Sequence, residues 1–291
     1  MFMQKANPKK NLRKPQQQSR PGIESKMVPV PNTVPSMEPA GGKLKNKIAF
    51  ITGGDSGIGK AVALLFAKEG ADIAIVYLNE HTDAKAVKKE VEEKYKRKCL
   101  LIAGDISKEK FCISCIKKTI REYHKIDILI NNAAIHYESK SLLNITTSNL
   151  LKTFSTNIFS MFWITKAALP YLSKGSSIIN TSSVTAYRGS ADLIDYSATK
   201  GAVVSFTRSL SASLIEKGIR VNAVAPGPIW TPLIVSSFKP QKVAKHGSDV
   251  PMKRAGEPAE VAPSYLFLAS SDGAYITGQV IHPNGGEIVN G

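Results

Sequence analysis

Tyr196 and Lys200 are the residues of this 291-residue chain whose types and spacing point most directly to chemistry. They stand four apart in a predicted helix over 196–217, so their side chains share one face of that helix. A free tyrosine has a pKa near ~10, and a lysine ammonium beside it would stabilise the phenolate and lower that pKa. Such a pair could exchange a proton with a substrate at neutral pH. In isolation, however, the spacing is common, and an ordinary helix face explains it at least as well.

A glycine-rich turn, Gly53-Gly54-Asp55-Ser56-Gly57-Ile58-Gly59, is the second chemical signal. It lies between a predicted strand over 48–52 and a predicted helix over 58–68. Gly53 permits a tight turn, Gly57 lets the backbone approach a pyrophosphate, and Gly59 lets the helix pack close to the sheet. The helix N-terminus would face the phosphates with free N–H groups and the positive end of its dipole. The flanking strand and helix favour a dinucleotide site over an unliganded turn.

The elements that must position these residues follow from the hydrophobic pattern. From Lys47 onward, short apolar runs alternate with longer amphipathic segments, which is typical of a parallel sheet with crossover helices. We therefore predict an α/β fold, a single doubly wound Rossmann-type domain with a central seven-stranded parallel sheet and helices on both faces. The domain would span 43–291, behind an arm over 1–42. The predicted strands are 48–52, 73–77, 100–103, 128–130, 177–180, 220–224 and 279–281, and the predicted helices are 58–68, 83–95, 108–123, 147–172, 196–217 and 258–269.

The spacing Gly-x-x-x-Gly-x-Gly resembles that of the short-chain dehydrogenase/reductase family, and the resemblance spans roughly residues 44–291. Gly104-Asp105-Ile106 resembles the family's adenine-binding pair, and Asn131-Asn132-Ala133-Ala134 its Asn-Asn-Ala-Gly element, with Ala134 in place of the last glycine. Pro226-Gly227-Pro228-Ile229-Trp230-Thr231 resembles the segment whose backbone holds the nicotinamide amide. The resemblance implies these cofactor-binding residues: Gly53, Asp55, Ser56, Gly57, Ile58, Gly59, Tyr77, Asp105, Ile106, Asn132, Tyr196, Lys200, Pro226, Gly227, Ile229 and Thr231.

The same resemblance implies a catalytic set. Ser183, thirteen residues before Tyr196, matches the serine that binds the substrate oxygen, and its spacing favours it over the adjacent Ser182. Asn157 matches an asparagine that holds a water in a proton relay, although a polar residue inside a helix is also explained by a local kink. The implied reaction is direct hydride transfer between the nicotinamide and an alcohol or carbonyl carbon. Tyr196 would exchange the proton, Ser183 would polarise the substrate oxygen, and Lys200 would bind the nicotinamide ribose and tune Tyr196.

The identity of the nicotinamide cofactor depends on the end of the second predicted strand. An acid there would hold the ribose hydroxyls of NAD, and a nearby arginine would accept the extra phosphate of NADP. The strand ends at Tyr77 with neither residue, and the position before Gly57 is Ser56. The missing cations favour NAD, while the missing acid removes the usual barrier to NADP. We expect NAD, with NADP as the alternative.

The net charge of +16 is concentrated at the start of the chain, where residues 1–47 hold ten Lys and Arg against two Glu. This stretch is also rich in Pro and Gln, so it cannot order itself alone and is predicted to be a tail or a wrapping arm. Its cations are scattered and have no interleaved aromatic residues, which favours a solvated segment over a nucleic-acid-binding one. The resemblance implies that the arm packs on the core or on a neighbouring subunit.

No metal site is expected. Cys112 and Cys115 lie in a predicted helix without a second Cys or His pair at zinc spacing, so semi-buried helix thiols explain them better than a redox or metal motif. The histidines show no metal spacing, but His136 follows the Asn131-Asn132 element and could face the substrate. Three cysteines suit a reducing compartment, and neither a secretory signal nor a membrane-spanning run is visible. We expect a cytoplasmic protein.

Within the family, the arm and several core segments resemble bacterial general-stress oxidoreductases related to glucose and ribitol dehydrogenases. That branch implies a homotetramer and a polyol, sugar or small aldehyde or ketone as substrate. The alternative function is a non-catalytic, dinucleotide-binding redox sensor that uses the basic arm for interaction. The presence of Ser183 and Asn157 argues against it, because cofactor binding alone requires neither residue.

Overall fold

The computed structural model describes residues 10–36 and 39–289. Seven parallel strands form one sheet in the order β3-β2-β1-β4-β5-β6-β7, so the predicted seven-stranded sheet is confirmed. The strands are β1 (Ile48–Thr52), β2 (Asp72–Tyr77), β3 (Cys99–Ala103), β4 (Ile128–Asn131), β5 (Ser177–Thr181), β6 (Arg220–Val224) and β7 (Val280–Ile281). β7 has only two residues. It ends just before Pro283, whose lack of an N–H limits further pairing.

Helices cover both faces of this sheet, as predicted. In β1, Ala49 and Ile51 pack into one buried cluster, whereas Ile48 and Phe50 pack into the other. Both faces are therefore apolar, which is why the parallel strands read as near-continuous hydrophobic runs. The helices are α1 (Gly57–Lys68), α2 (His81–Glu93), α3 (Glu109–Tyr123), α4 (Thr147–Phe154), α5 (Ser160–Ala168), α6 (Thr185–Arg188), α7 (Ile194–Leu214), α8 (Pro232–Ser237), α9 (Pro240–Ala244) and α10 (Pro258–Ala269).

The helix predicted over 147–172 is not continuous. A π-helical turn, Ser155–Phe159, separates α4 from α5, and a short 3-10 turn follows at Leu169–Tyr171. Hydrophobic periodicity did not reveal the break, because its cause is tertiary: Asn157 in the π-turn hydrogen-bonds the backbone of Ile135. The short helices α6, α8 and α9 were also missing from the prediction.

The described part of the arm lies along the surface of the domain. The Leu12 amide donates to the Ala244 carbonyl at 2.7 Å, and the Gln18 amide donates to the Val235 carbonyl at 2.8 Å. Met27 is buried in a cluster with α8 and α9, and its neighbour Pro29 accepts a hydrogen bond from Trp230. Residues 1–9 and 37–38, which the predicted arm includes, lie outside the described residues.

The strand order fixes where a ligand can bind. β1 is flanked by β2 and β4, so the direction in which the sheet is wound reverses between β1 and β4. In doubly wound sheets the ligand crevice lies at this reversal, outside the carboxyl ends of the strands. Among the described helices, none has the length and apolar character needed to cross a membrane.

Candidate active site

A cavity of about 930 Å³ opens at the carboxyl ends of the strands. Its volume lies within the roughly 300–1,000 Å³ typical of small-molecule sites. The glycine-rich turn, the ends of β4 and β5, helix α7 and the segments around α8 and α9 all contribute to its wall. Of the residues expected at the site, only Gly59 and Asn157 do not line this cavity, and both lie directly behind its wall.

The glycine-rich turn has the geometry that its glycines allow. Gly53 and Gly57 have φ values of 65° and 53°, in the left-handed region that favours glycine. A Cβ on Gly59 would lie 1.9 Å from the Gly53 carbonyl oxygen, so no larger residue fits between turn and helix. The first turn of α1 therefore stands close to the sheet with its N-terminus beside the cavity. The N-terminus of α1 is therefore suitably placed to bind a pyrophosphate.

Asn132 fastens the turn to β4. Its Nδ2 donates to the carbonyls of Thr52 and Gly53 at 3.1 and 3.2 Å, and its backbone N–H donates to the Thr52 hydroxyl at 2.9 Å. Opposite the turn, the segment 226–231 closes the cavity, with the Thr231 side chain 3.2 Å from the position of a Cβ on Gly57. The two predicted cofactor segments thus meet at one place.

Tyr196 and Lys200 share a face of α7, as their spacing predicts. The Lys200 Nζ donates to the Thr181 carbonyl at 2.7 Å and lies 5.4 Å from the centroid of the Tyr196 ring. The expected lowering of the tyrosine pKa is wrong for this structure: burial raises the pKa of Tyr196 to about 12, opposed by a hydrogen bond with Ser183. Burial also lowers the pKa of Lys200 to about 7, so the lysine charge is itself disfavoured at this depth.

The structure separates the two candidate serines. The Ser182 hydroxyl donates to the Lys200 carbonyl at 2.9 Å, which ties the end of β5 to α7. The Ser183 hydroxyl instead accepts from the Thr185 amide at 3.2 Å and lies near enough to Tyr196 to oppose the rise in the pKa of that tyrosine. Ser183 is therefore the serine placed beside the tyrosine, in agreement with the spacing argument.

Asn157 supports the site from the π-turn. Its Oδ1 accepts from the Ile135 amide and its Nδ2 donates to the Ile135 carbonyl, both at 2.8 Å. The same Nδ2 lies 3.2 Å from the Thr199 hydroxyl on α7. A single buried side chain thus joins the segment after β4 to the helix of the Tyr-Lys pair. π-Turns of this kind occur often at functional sites.

The end of the cavity near β2 is acidic. Burial, together with the nearby Glu80 carboxylate, raises the pKa of Asp55 to about 7. Tyr77 lines this end, and its hydroxyl lies 3.0 Å from the His81 Nδ1. In the turn after the neighbouring strand β3, Asp105 accepts from the Ser107 amide at 2.8 Å.

Several residues at the cavity were not expected from the sequence. Arg20, Pro21 and Gly22 of the arm line it, because the arm crosses the entrance. A Cβ on Gly22 would lie 2.5 Å from the Pro232 carbonyl oxygen, so this crossing requires glycine. The composition of the arm contains no signal for this docking. On the other side, Lys242 of α9 bridges Glu138 and Asp192 at 2.7 and 2.5 Å.

The arm also reaches the glycine-rich turn. Glu24 accepts from the Gly57 amide at 2.6 Å and pairs with Lys60 of α1 at 2.5 Å. Its own amide donates to Asp83 at 2.9 Å. Burial raises the pKa of Glu24, and the Lys60 ammonium opposes that shift.

The thiols and histidines do not form a metal centre within the described residues, where no group of three or more His, Cys, Asp or Glu is suitably placed. Cys112 and Cys115 are buried free thiols on α3, and burial raises both pKa values to about 12. A thiol with so high a pKa is a poor nucleophile and a poor redox centre. Packing is the role that their surroundings support.

Sequence comparison places this chain among known oxidoreductases. Residues 53–287 match the family model described as enoyl-(acyl carrier protein) reductase. General stress protein 39 of Bacillus subtilis is 51% identical over 284 residues, which cover 98% of this chain and 99% of that protein. The chloroplastic NADPH-dependent aldehyde reductase 1 of Arabidopsis thaliana is 50% identical over 283 residues, covering 95% and 98%. Glucose and ribitol dehydrogenase of Daucus carota is 47% identical over 281 residues, covering 94% and 96%.

Comparison with solved structures agrees with the sequence comparison. A short-chain dehydrogenase from Burkholderia cenocepacia, crystallised with NADP, has a TM-score of 0.79 and 29% sequence identity. The match covers 84% of this chain and 98% of that one. The predicted resemblance to general-stress proteins and to glucose and ribitol dehydrogenases is confirmed by these relatives. The chain belongs to the short-chain dehydrogenase/reductase family.

Proposed function

We propose that this protein is an NAD(P)-dependent oxidoreductase that interconverts an alcohol and a carbonyl compound, with a polyol, a sugar or a small aldehyde or ketone as substrate. The observation that carries the proposal is the meeting of Ser183, Tyr196 and Lys200 in one cavity that also contains the glycine-rich turn. A binding protein without catalytic function needs the turn but not Ser183. The relatives named as an aldehyde reductase and a glucose and ribitol dehydrogenase support this substrate class.

The residues present fit a nicotinamide dinucleotide. The turn at Gly53 and Gly57 and the start of α1 would hold the pyrophosphate, and Asp105 and Ile106 would contact the adenine. The backbone of the segment from Pro226 to Thr231 would hold the nicotinamide amide, as in the family. When bound, the cofactor supplies or accepts a hydride. The Glu80 carboxylate near β2 favours NAD over NADP, because a 2′-phosphate would meet like charge there.

The proton would be transferred by residues of α7 and of the segment that follows β5. With its pKa raised to about 12, Tyr196 carries its proton at neutral pH and is ready to donate it to a carbonyl oxygen. Ser183 would hydrogen-bond the same oxygen and so stabilise the charge that develops on it. Lys200 would bind the nicotinamide ribose, and Asn157, to which the family resemblance gives the proton relay, would hold the Ile135 backbone and α7 in place beside the site.

The substitution Tyr196→Phe tests this assignment. We expect kcat to fall by about 10²-fold to 10⁴-fold, the usual contribution of a positioned general acid, with the dissociation constant for the cofactor nearly unchanged. The assay follows NADH and NADPH oxidation with a panel of aldehydes and ketones, and NAD and NADP reduction with polyols. Cofactor binding is followed by fluorescence titration. Unchanged turnover in Tyr196→Phe would contradict the assignment of Tyr196.

We further propose that the protein acts as a cytoplasmic homotetramer with no nucleic-acid partner. The arm cations Arg13 and Arg20 contact the domain itself, at Glu257 and at the His136 carbonyl, which supports a structural arm. The buried free thiols suit a reducing compartment. Exposed apolar side chains on consecutive elements support subunit association: Leu142, Leu143, Leu150, Leu151, Phe159 and Phe162. We call this set the outer apolar face.

A further inference from the structure

His136 occupies a position inside the cavity that the proposed mechanism does not use. It follows β4 and is 3% exposed. Its ring centroid lies 5.1 Å from that of Tyr196, edge to face, and 5.0 Å from that of Phe238, which follows α8. The imidazole therefore stands between the tyrosine and the segment that covers the cavity, where the body of a substrate bound at Tyr196 would lie.

The ring carries an unsatisfied polar atom. The His136 Nδ1 is buried and has no hydrogen-bond partner within residues 10–36 and 39–289. Most buried polar atoms in proteins are paired, and an unpaired one costs about 1–3 kcal/mol. If His136 only filled space between two aromatic rings, phenylalanine would fill it without that cost. The nitrogen is therefore better explained by a partner that arrives with the substrate.

The surroundings of the ring define the chemistry of that partner. Burial, aided by the positive charge of Arg20, lowers the pKa of His136 to about 3. The imidazole is thus neutral, with one donor and one acceptor nitrogen. A neutral donor-acceptor pair suits a hydroxyl group, which is itself both donor and acceptor. It gives no charge-based preference for a carboxylate or a phosphate.

The arm fixes the backbone that carries this ring. The Arg20 guanidinium donates to the His136 carbonyl at 2.7 Å and lies 4.2 Å from the centroid of the Tyr137 ring. Arg20 thus holds the main chain at His136 from the open side of the cavity. A change at Arg20 would therefore alter the orientation of the imidazole through the main chain.

We propose that His136 determines substrate specificity by hydrogen-bonding a hydroxyl on the carbon next to the reacting one, and that Arg20 is a positioning residue for it. The inference rests on the proposed function, since it assumes that the reacting oxygen is held at Tyr196. It narrows the substrate class to compounds with a hydroxyl beside the carbonyl or alcohol carbon, as in sugars and polyols.

Two aldehydes that differ by one hydroxyl test the proposal. Lactaldehyde and propanal are compared with wild type, His136→Phe, His136→Gln and Arg20→Ala, using whichever reduced cofactor the wild type oxidises faster. We expect His136→Phe to raise the KM for lactaldehyde about tenfold more than it raises the KM for propanal, which corresponds to the loss of one hydrogen bond. His136→Gln, which keeps a donor and an acceptor, should recover most of the loss.

The positioning role of Arg20 is tested by a separate measurement. Arg20→Ala should raise the KM for lactaldehyde about threefold alone, but should add nothing in the His136→Phe background, because both changes act through the same contact. Cofactor binding and melting temperature, measured for each variant, separate this pattern from misfolding. Equal losses for both aldehydes in His136→Phe, or no loss for either, would overturn the inference while leaving the proposed function standing. Failure of the wild type to reduce either aldehyde would overturn both.

Discussion

At the scale of single residues, the two adjacent serines show how position decides between structural and chemical roles. Both follow β5 and both line the cavity, yet the Ser182 hydroxyl donates to the Lys200 carbonyl, whereas the Ser183 hydroxyl accepts from the Thr185 amide and lies beside Tyr196. The sequence supports Ser183 only through its distance from Tyr196. The hydrogen bonds supply the independent reason.

Alanine substitutions at this pair should give opposite results. We expect Ser183→Ala to lower kcat about 10²-fold, since one donor to the developing oxyanion is lost, with little change in stability. Ser182→Ala should keep kcat within a few-fold of wild type but lower the free energy of unfolding by about 1 kcal/mol, because the Lys200 carbonyl loses a partner. Steady-state kinetics and denaturant unfolding measure the two effects. A larger kinetic defect in Ser182→Ala would reverse the assignment.

Lys200 makes stability depend on pH. Because burial lowers its folded-state pKa to about 7, the unfolded chain binds a proton that the folded chain does not, from there up to its ordinary pKa near ~10.4. The free energy of unfolding therefore rises with pH in this window. From pH 7 to pH 9, we expect the wild type to gain roughly 2 kcal/mol more than Lys200→Met does. Denaturant unfolding at the two pH values measures the difference, and identical gains would show that Lys200 titrates normally.

At the scale of elements, the arm is the part whose placement its own residues do not predict, and only the family resemblance implied that it packs on the core or on a neighbouring subunit. The turn over 53–59 was predictable because the need for glycine is local, and the Tyr196-Lys200 face was predictable because helical spacing is local. The break at Asn157 and the raised pKa of Tyr196 depend instead on distant neighbours and on burial. The docking of the arm depends on contacts with residues still more distant in sequence, such as Ala244. The composition of the arm therefore predicts a free tail as readily as an arm that wraps around the domain.

Trp230 reports on the arm directly. Its side chain is fully buried, its Nε1 donates to the Pro29 carbonyl at 2.8 Å, and the Arg13 guanidinium lies 4.3 Å from its ring. Deletion of residues 1–42 should expose the indole and shift its fluorescence emission to longer wavelength. Loss of the buried Met27 alone should lower the free energy of unfolding by about 2 kcal/mol.

Trp163, the second tryptophan of the chain, must be replaced by phenylalanine for this measurement. The Trp163→Phe protein with its arm intact is the control. An unshifted emission spectrum after deletion would mean that the arm does not cover Trp230 in solution.

At the scale of the whole molecule, the outer apolar face needs an explanation beyond the single chain. Leu143 is 95% exposed and Phe162 is 52% exposed, and the ring of Phe162 packs at a tilt against that of Phe206, with 4.4 Å between centroids. Monomeric proteins rarely present such a surface to water unless it binds something. Family membership and this surface together favour burial between subunits.

Phe162→Arg should dissociate the proposed tetramer into smaller species, because a charge cannot be buried unpaired in a subunit interface. Light scattering coupled to size-exclusion chromatography measures the mass. Ile215→Arg is the matched control, since Ile215 is also half-exposed but lies outside the outer apolar face. A wild type that elutes as a monomer, or equal effects of both variants, would contradict this role of the face.

The arm contacts also set an order of events during synthesis. Arg13 pairs with Glu257, which is made 244 residues later, and Glu24 reaches the glycine-rich turn only 33 residues on. On the ribosome, the Glu24 contact can therefore form early, whereas the contacts to Trp230 and Glu257 must wait until nearly the whole chain has emerged. Contacts so distant in sequence form slowly. In a truncated or stalled chain, the basic arm would therefore remain detached from the domain and accessible to proteases. In the complete protein, its contacts hold it against the domain.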